Sequence, residues 1–233
     1  FIDEAESILG TRRASRYSSI LSTLVPMFCS EMDGIESLGE VVIILASNRA
    51  DLIDPAILRP GRIDRKIKVQ RPNRAGAREI YRIYLTDDLP YDAAITKEGE
   101  SIDRAVEGLI ERLLEKQFAR TEENKFLEIT LRSGRKETLY RSNLLSGAII
   151  ASVVERAKSA AIKRVIAGQP EEGISETDIQ LAFTAEFSEN DIFPPVDVAE
   201  DWFKLIDHDP ENVVKIAPVR AARAAAQQTS GVI

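Results

Sequence analysis

The 233-residue sequence has one cysteine and one histidine. A single thiol cannot form an intrachain disulfide, and a single imidazole cannot build a histidine metal site. The cysteine, Cys29, fits a reducing compartment, and its apolar helical surroundings predict a packed side chain rather than a nucleophile. The histidine, His208, stands between two aspartates and is expected to lie in a solvated loop.

Long apolar runs are also missing. No stretch approaches the roughly 20 apolar residues that are needed to cross a bilayer, and the first residues have no signal-peptide pattern. With 44% hydrophobic and 30% charged residues, the composition is that of an ordinary globular protein with one or two domains. We therefore expect a cytoplasmic protein that has no membrane partner.

The net charge of −7 hides a separation of the two signs. Ten basic and four acidic side chains lie between Arg49 and Arg82, whereas nine acidic side chains and one lysine lie between Glu186 and Asn212. The basic block has no interleaved aromatic residue before Tyr81, which counts against nucleic acid as a partner. A nucleic-acid-binding module stays open as an alternative, and salt-dependent binding to DNA would support it.

The segment Val41–Ala46 is an unbroken apolar run rich in β-branched residues. Such a run predicts a parallel strand that is buried on both faces. The strand would end at Ser47 and Asn48. Because ligands of open α/β sheets bind beyond the carboxyl ends of the strands, Asn48 is the first candidate for a site residue.

Two arginines follow this strand. Residues 51–58 predict a short helix with an acidic N-cap and a proline in its first turn. Arg59, Pro60, Gly61 and Arg62 then break that helix. Two guanidinium groups on so rigid a turn suit polydentate contact with phosphate.

Two motifs carry a family resemblance. Residues 47–65, SNRADLIDPAILRPGRIDR, resemble the second region of homology of the AAA ATPases. Residues 1–4, FIDE, resemble the Walker B motif, an apolar strand followed by two carboxylates. The resemblance implies that ATP and Mg²⁺ are bound, that Asp3 holds the magnesium ion, and that Glu4 orients the attacking water.

The resemblance also gives roles to the later residues. Asn48 would align water together with Glu4, and Arg59 and Arg62 would act as arginine fingers on the ATP of a neighbouring subunit. The sequence has no G-x-x-x-x-G-K-[ST] phosphate loop. We therefore expect the C-terminal part of a longer ATPase, unable to hydrolyse ATP by itself.

Beyond residue 74 the pattern becomes helical. The run Leu145–Ile149, LSGAI, resembles the start of a lid helix in AAA proteins, which implies that Gly147 and Ala148 let the backbone approach the nucleotide base. Ser175 and Asp178 predict a capping box. Helices are predicted over 5–9, 17–32, 77–85, 101–119, 144–168 and 174–187, a short strand over 65–69, and a β-hairpin over 125–140.

The predicted fold class is α/β, with three parts. Residues 1–74 form the C-terminal part of a P-loop AAA nucleotide-binding domain with a parallel sheet. Residues 75–190 form a helical lid subdomain with an inserted β-hairpin. Residues 191–233 form an acidic segment, in which Trp202 anchors the chain, and a flexible tail from Ala217 onward.

The lid hairpin and the segment after it resemble the bacterial, actinobacterial-type proteasome-associated ATPases. The resemblance implies a homo-hexamer that unfolds Pup-tagged proteins and passes them to a 20S proteasome, with Arg12, Arg13 and Arg16 of a pore loop on the threaded polypeptide. The sequence ends in Gly-Val-Ile, without the tyrosine motif of that group. A remodelling ATPase that works without a proteasome, another AAA machine and a non-enzymatic scaffold therefore stay open.

Overall fold

The computed structural model describes residues 1–11, 18–34, 41–96, 101–169, 173–189 and 213–218. The chain divides into two compact units, Phe1–Val69 (unit 1) and Gln70–Ile233 (unit 2). No helix in these described ranges is long and apolar enough to cross a membrane. Three sets of predictions lie outside them, namely those on the pore-loop arginines, on Trp202 and on His208.

The described residues of unit 1 form two α-helices and a parallel backbone pairing. Helix α1 covers Ala5–Leu9 and helix α2 covers Ser18–Met32, as the apolar spacing predicted. A six-residue core joins them to the later loop, and it includes Cys29, whose predicted burial is confirmed. The members of this core are Ala5, Leu9, Val25, Cys29, Ile53 and Ile57.

Three local predictions for unit 1 are wrong. The segment 51–58 forms a 3-10 turn over Ala50–Leu52 followed by turns, because Asp51 pairs with Arg49 instead of capping a helix. Residues 65–69 form no strand and are exposed. Val42 of the expected buried strand is 81% exposed, because the described residues pair that segment with one neighbour only, at Ile2.

Unit 2 is built from helices around a small sheet. Four helices match the predicted lid helices to within a few residues, and a four-residue helix, α5, precedes the longest of them. Their bounds are α3 Arg74–Tyr84, α4 Ile102–Phe118, α5 Arg141–Leu144, α6 Gly147–Ile166 and α7 Glu176–Glu189.

In the described part of unit 2, three antiparallel strands form a sheet in the order β2-β1-β3. Strands β1 (Lys125–Leu131) and β2 (Lys136–Tyr140) form the predicted hairpin. Strand β3 (Val213–Pro218) was not predicted. The prediction that a flexible tail begins at Ala217 is therefore wrong, because Ala217 pairs with Glu128 in the sheet.

One continuous core holds the helices and the sheet of unit 2 together. Its fully buried side chains come from α3, α4, β1, α6 and α7, among them Tyr81, Leu113, Leu127 and Phe183. The Tyr81 hydroxyl donates a 3.0 Å hydrogen bond to Gln117, which satisfies the phenol within this core.

The predicted capping box at the start of α7 is present. The Asp178 N–H donates to the Ser175 hydroxyl at 3.1 Å, and the Ser175 N–H donates to the Asp178 carboxylate at 2.9 Å. Arg164 of α6 pairs with the same carboxylate and donates to the Gly173 carbonyl at 2.7 Å. This buried network fixes the start of α7 against α6.

Candidate functional site

Two parallel backbone segments end side by side in unit 1. The Ile2 N–H donates to the Ile44 carbonyl at 2.9 Å, and the Ala46 N–H donates back to the Ile2 carbonyl at 2.8 Å. The Ala5 N–H then donates to the Ala46 carbonyl at 2.9 Å. The bonded residues lie on both sides of Asp3 and Glu4 in the first segment and shortly before Asn48 in the second. Asp3, Glu4 and Asn48 therefore follow the paired residues at the same end of the two segments.

Glu4 has a left-handed backbone conformation, with φ 48° and ψ 45°. It is the one non-glycine residue with positive φ in the described part of the chain. Such a conformation costs a residue with a side chain about 1 kcal/mol or more, and it persists where the surroundings impose it. Here the pairing on both sides of Glu4 imposes it, and the exposed carboxylate projects from the end of the segment.

Asp3 retains a free carboxylate oxygen. Its Oδ1 atom accepts the Glu4 N–H at 2.9 Å, and Oδ2 has no partner among the described residues. Mg²⁺ commonly takes one or two protein carboxylates together with substrate phosphates. The described residues contain no group of three or more His, Cys, Asp or Glu side chains that could hold a metal ion, at Asp3 or at any other place. The open Oδ2 atom of Asp3 fits a magnesium ion whose other ligands are nucleotide phosphates and water.

A fixed turn presents Asn48. The Ser47 hydroxyl accepts the Arg49 N–H at 3.0 Å, and the Arg49 guanidinium makes two 3.1 Å contacts with Asp51. Asn48 itself is exposed, and its amide bonds to no other side chain that the structure describes. The turn thus leaves the amide free for a ligand or a water molecule.

The two arginines of the turn at 59–62 differ in their surroundings. Arg59 is exposed, and the structure shows no carboxylate partner for it in the described ranges. Arg62 is 16% exposed at its side chain and pairs with Asp33, with one contact of 2.8 Å, while it also donates to the Ala56 carbonyl at 2.6 Å. Gly61, with φ 88°, supplies the turn between them.

Asp33 is the residue that the sequence did not predict at this site. It follows α2 directly, and its hydrogen bonds with the Arg62 guanidinium hold the pKa of its carboxyl below the usual value. Both groups line a pocket of about 680 Å³ that also includes Cys29 and Arg59. An acid after a helix end is common, so the sequence alone carries no signal for this pair.

The lid residues of the predicted site lie in unit 2 at the start of α6. The Ser146 hydroxyl accepts the Ile149 N–H at 3.2 Å and so caps the helix. A Cβ atom added at Gly147 would lie 4.0 Å from Ile80, an ordinary contact. The protein's own atoms therefore leave space beside Gly147 and the exposed Ala148.

Comparison with protein families gives two matches. The family described as "ARC, AAA+ ATPase lid domain" matches residues 72–232. The family described as "ATPase family associated with various cellular activities (AAA)" matches residues 1–71. The chain belongs to the ARC family of AAA+ ATPases. This result confirms the predicted resemblance and the predicted fold, an AAA portion followed by a lid.

Similar proteins carry names that agree with this family. A "Proteasome-associated ATPase" of Sanguibacter keddieii is 46% identical over 94% of this chain and 38% of its own length. One of Acidimicrobium ferrooxidans is 44% identical over 92% and 37%. An "AAA ATPase forming ring-shaped complexes" of Corynebacterium kroppenstedtii is 41% identical over 98% and 40%. The ARC-family chain thus spans about two fifths of the length of these relatives.

Proposed function

We propose that this chain forms part of a ring-shaped ATPase that uses ATP to unfold proteins and feed them to a 20S proteasome. The observation that carries the proposal is the parallel pairing of Ile2 with Leu45, because the segment that leads into Asp3 and Glu4 then lies beside the segment that leads into Asn48. The family membership supports ATP hydrolysis as the reaction. The names of the relatives support the ring and the proteasome.

Asp3, Glu4 and Asn48 would each have a different role in hydrolysis. Asp3 would hold magnesium, which neutralises charge on the phosphate oxygens when it is bound. Glu4 accepts a proton from the attacking water, and Asn48 hydrogen-bonds the same water and orients it. The water oxygen forms a bond to the γ-phosphorus as the bond to the β-γ bridging oxygen breaks.

The arginines act on the nucleotide of the neighbouring subunit. Arg59, exposed and without a carboxylate partner in the described ranges, donates to the γ-phosphate oxygens as their charge develops. Arg62 shares its charge with Asp33 of its own chain. We infer that Arg59 is the finger in direct contact and that Arg62 holds the turn on which it lies. Gly147 and Ala148 would leave room for the base.

The ion pairs favour this function over nucleic-acid binding. Five of the basic block's arginines are paired with carboxylates of the chain, which lowers the positive charge available to a phosphodiester backbone. They are Arg49, Arg62, Arg74, Arg78 and Arg82.

The catalytic assignment is tested in the full-length protein that contains this chain. Glu4→Gln should bind ATP and lower turnover by about 100-fold or more, because the general base is lost. Arg59→Ala should lower turnover by about 1,000-fold with ATP binding retained. Arg104→Ala, an exposed arginine of α4, is the control. Turnover of the Arg59 variant equal to that of the control would refute the finger.

The proteasome partner needs a separate experiment. The full-length ring is given a Pup-tagged fluorescent protein with and without 20S proteasome, and both loss of fluorescence and formation of peptides are followed. Peptides that form only when ATP and the proteasome are both present support the proposal. Unfolding without peptides in either reaction would support the alternative, a remodelling ATPase that works without a proteasome.

A further inference from the structure

A second concave basic site lies in unit 2. The start of α3, the end of α4 and the residues after β2 enclose a pocket of about 370 Å³. Its lining residues include Arg71, Arg74 and Arg120, and none of them is acidic. Neither Gly147 nor Ala148 lines it, so the pocket does not depend on the proposed ATP site.

The three arginines are held in place at the rim by contacts of different kinds. Arg71 donates to the Leu144 carbonyl. Arg74 makes one 3.1 Å contact with Glu111 while its side chain stays 53% exposed. Arg120 lies 5.8 Å from the centre of the Tyr140 ring and has no carboxylate partner in the described part of the chain.

The beginning of α3 lies at the same pocket, which Asn73 and Arg74 line. Asn73 caps this 11-residue helix by accepting the Gly76 N–H at 2.9 Å. The N–H groups of Arg74 and Ala75 in the first turn have no intrahelical acceptor. They lie at the positive end of the helix dipole, which favours an anion. The hydroxyl group of Ser142, another lining residue, adds a neutral donor.

We propose that this pocket binds a small diphosphate anion, either inorganic pyrophosphate or the diphosphate of a nucleotide. Several guanidinium groups around one concavity match the many acceptor oxygens of such an anion, because each group can donate two parallel hydrogen bonds. A carboxylate ligand would use only part of this donor set.

The test is a titration of the chain with sodium pyrophosphate, followed by calorimetry at constant ionic strength. Arg120→Gln should weaken binding about tenfold, because it removes charge-assisted hydrogen bonds while leaving no carboxylate unpaired. Arg104→Gln changes the net charge by the same amount on an exposed arginine of α4 outside the pocket. We expect its affinity to equal that of the unchanged chain. Thermal melts of both variants confirm that they are folded.

A second titration with ADP separates the two sources of the diphosphate. Tighter binding of ADP than of pyrophosphate, weakened by Arg120→Gln, assigns the pocket to a nucleotide. Equal affinities assign it to free diphosphate. The proposal is overturned if no saturable binding occurs, if both variants lose affinity equally, or if sulfate binds as well as pyrophosphate. None of these outcomes depends on ATP turnover, so the proposed function is tested independently.

Discussion

The two units differ in how completely they cover their apolar side chains. Among the described residues of unit 2, 25 buried residues form one core that runs through the helices and the sheet. Among those of unit 1 the core has six members, and Val42, Ile67 and Val69 are 81%, 84% and 91% exposed. The proposed catalytic residues therefore lie on the unit with the smaller core. The lid, in contrast, is stabilised by a core that its own residues form.

The two units also differ in what their ion pairs connect. In unit 2 several of them link two elements, as Arg78 and Arg82 of α3 do when both contact Glu107 of α4. In unit 1 the pairs of Arg49 and Arg62 fix loops near the candidate site. The ion pairs of unit 2 thus include links between packed helices, whereas those of Arg49 and Arg62 in unit 1 fix the loops that carry the candidate site residues.

The largest effect on stability is expected from Leu113→Ala. Leu113 of α4 is fully buried in the core of unit 2. Removing its side chain should lower the free energy of unfolding by about 3 kcal/mol or more, because a cavity is left behind. Leu181→Ala, at a position that is 65% exposed, is the matched control and should change little. Chemical denaturation measures both, and a small loss for Leu113→Ala would show that the lid core is loosely packed.

A smaller loss is expected from Asp178→Asn. Its side chain is 6% exposed and pairs with Arg164, whose side chain is 17% exposed. Breaking the pair should cost about 3 kcal/mol or less, since Asn retains one acceptor for Ser175. Glu155→Gln removes an i,i+3 pair in which the carboxylate is 67% exposed, and should cost well under about 1 kcal/mol. Equal losses in the two variants would contradict the difference in burial.

The same aspartate predicts how the lid responds to acid. Burial raises the pKa of Asp178, but the hydrogen bonds from Arg164 and Ser175 outweigh it and bring the pKa below the usual 3.8. A lowered pKa in the folded state adds stability above the unfolded-state pKa, and this contribution is lost as the pH falls through the folded-state pKa. The unchanged chain should therefore lose stability below about pH 4 faster than Asp178→Asn does, as melts between pH 7 and pH 2 would show.

The smallest effect is expected from Asp33→Asn. In the full-length ATPase it should lower turnover about tenfold, because the Arg62 side chain loses its ionic partner and the turn that carries Arg59 becomes less well fixed. The melting temperature should stay unchanged, since Asp33 is exposed. Glu31→Gln, an exposed acid at the end of α2, is the control. Turnover of Asp33→Asn equal to that of this control would remove Asp33 from the site.

Local patterns predicted most of the lid. Helix α4 and the capping box of α7 follow from the spacing of residues within a single segment. Such a pattern can be recognised without knowing which distant residues pack against it. Strand β3 was missed because its pairing with β1 joins residues about 90 positions apart. The predicted helix over 51–58 failed because Asp51 has a nearer partner in Arg49.

The candidate site shows the same division. Asp3 and Glu4 were predicted from the resemblance of residues 1–4 to a Walker B motif, and Asn48 from its place after an apolar run. The backbone bonds of Ile2 bring the two segments together, and the roles of the three side chains stay predictions. The pairing of Arg62 with Asp33 could not be predicted, because 29 residues separate them and no periodic pattern links them. The difference in surroundings between Arg59 and Arg62 thus became visible only in three dimensions.

At Glu4 the left-handed backbone favours glycine, whereas the proposed role in hydrolysis requires a carboxylate. Glycine at this position would relax the local geometry and make the fold easier to form, yet it would delete the carboxylate. A β-branched residue would suffer both the strain and the loss. Greater thermal stability at this position would therefore come with loss of the proposed general base. We expect Glu4→Gly to melt at a higher temperature than the unchanged chain and, in the full-length protein, to lose the proposed ATP turnover.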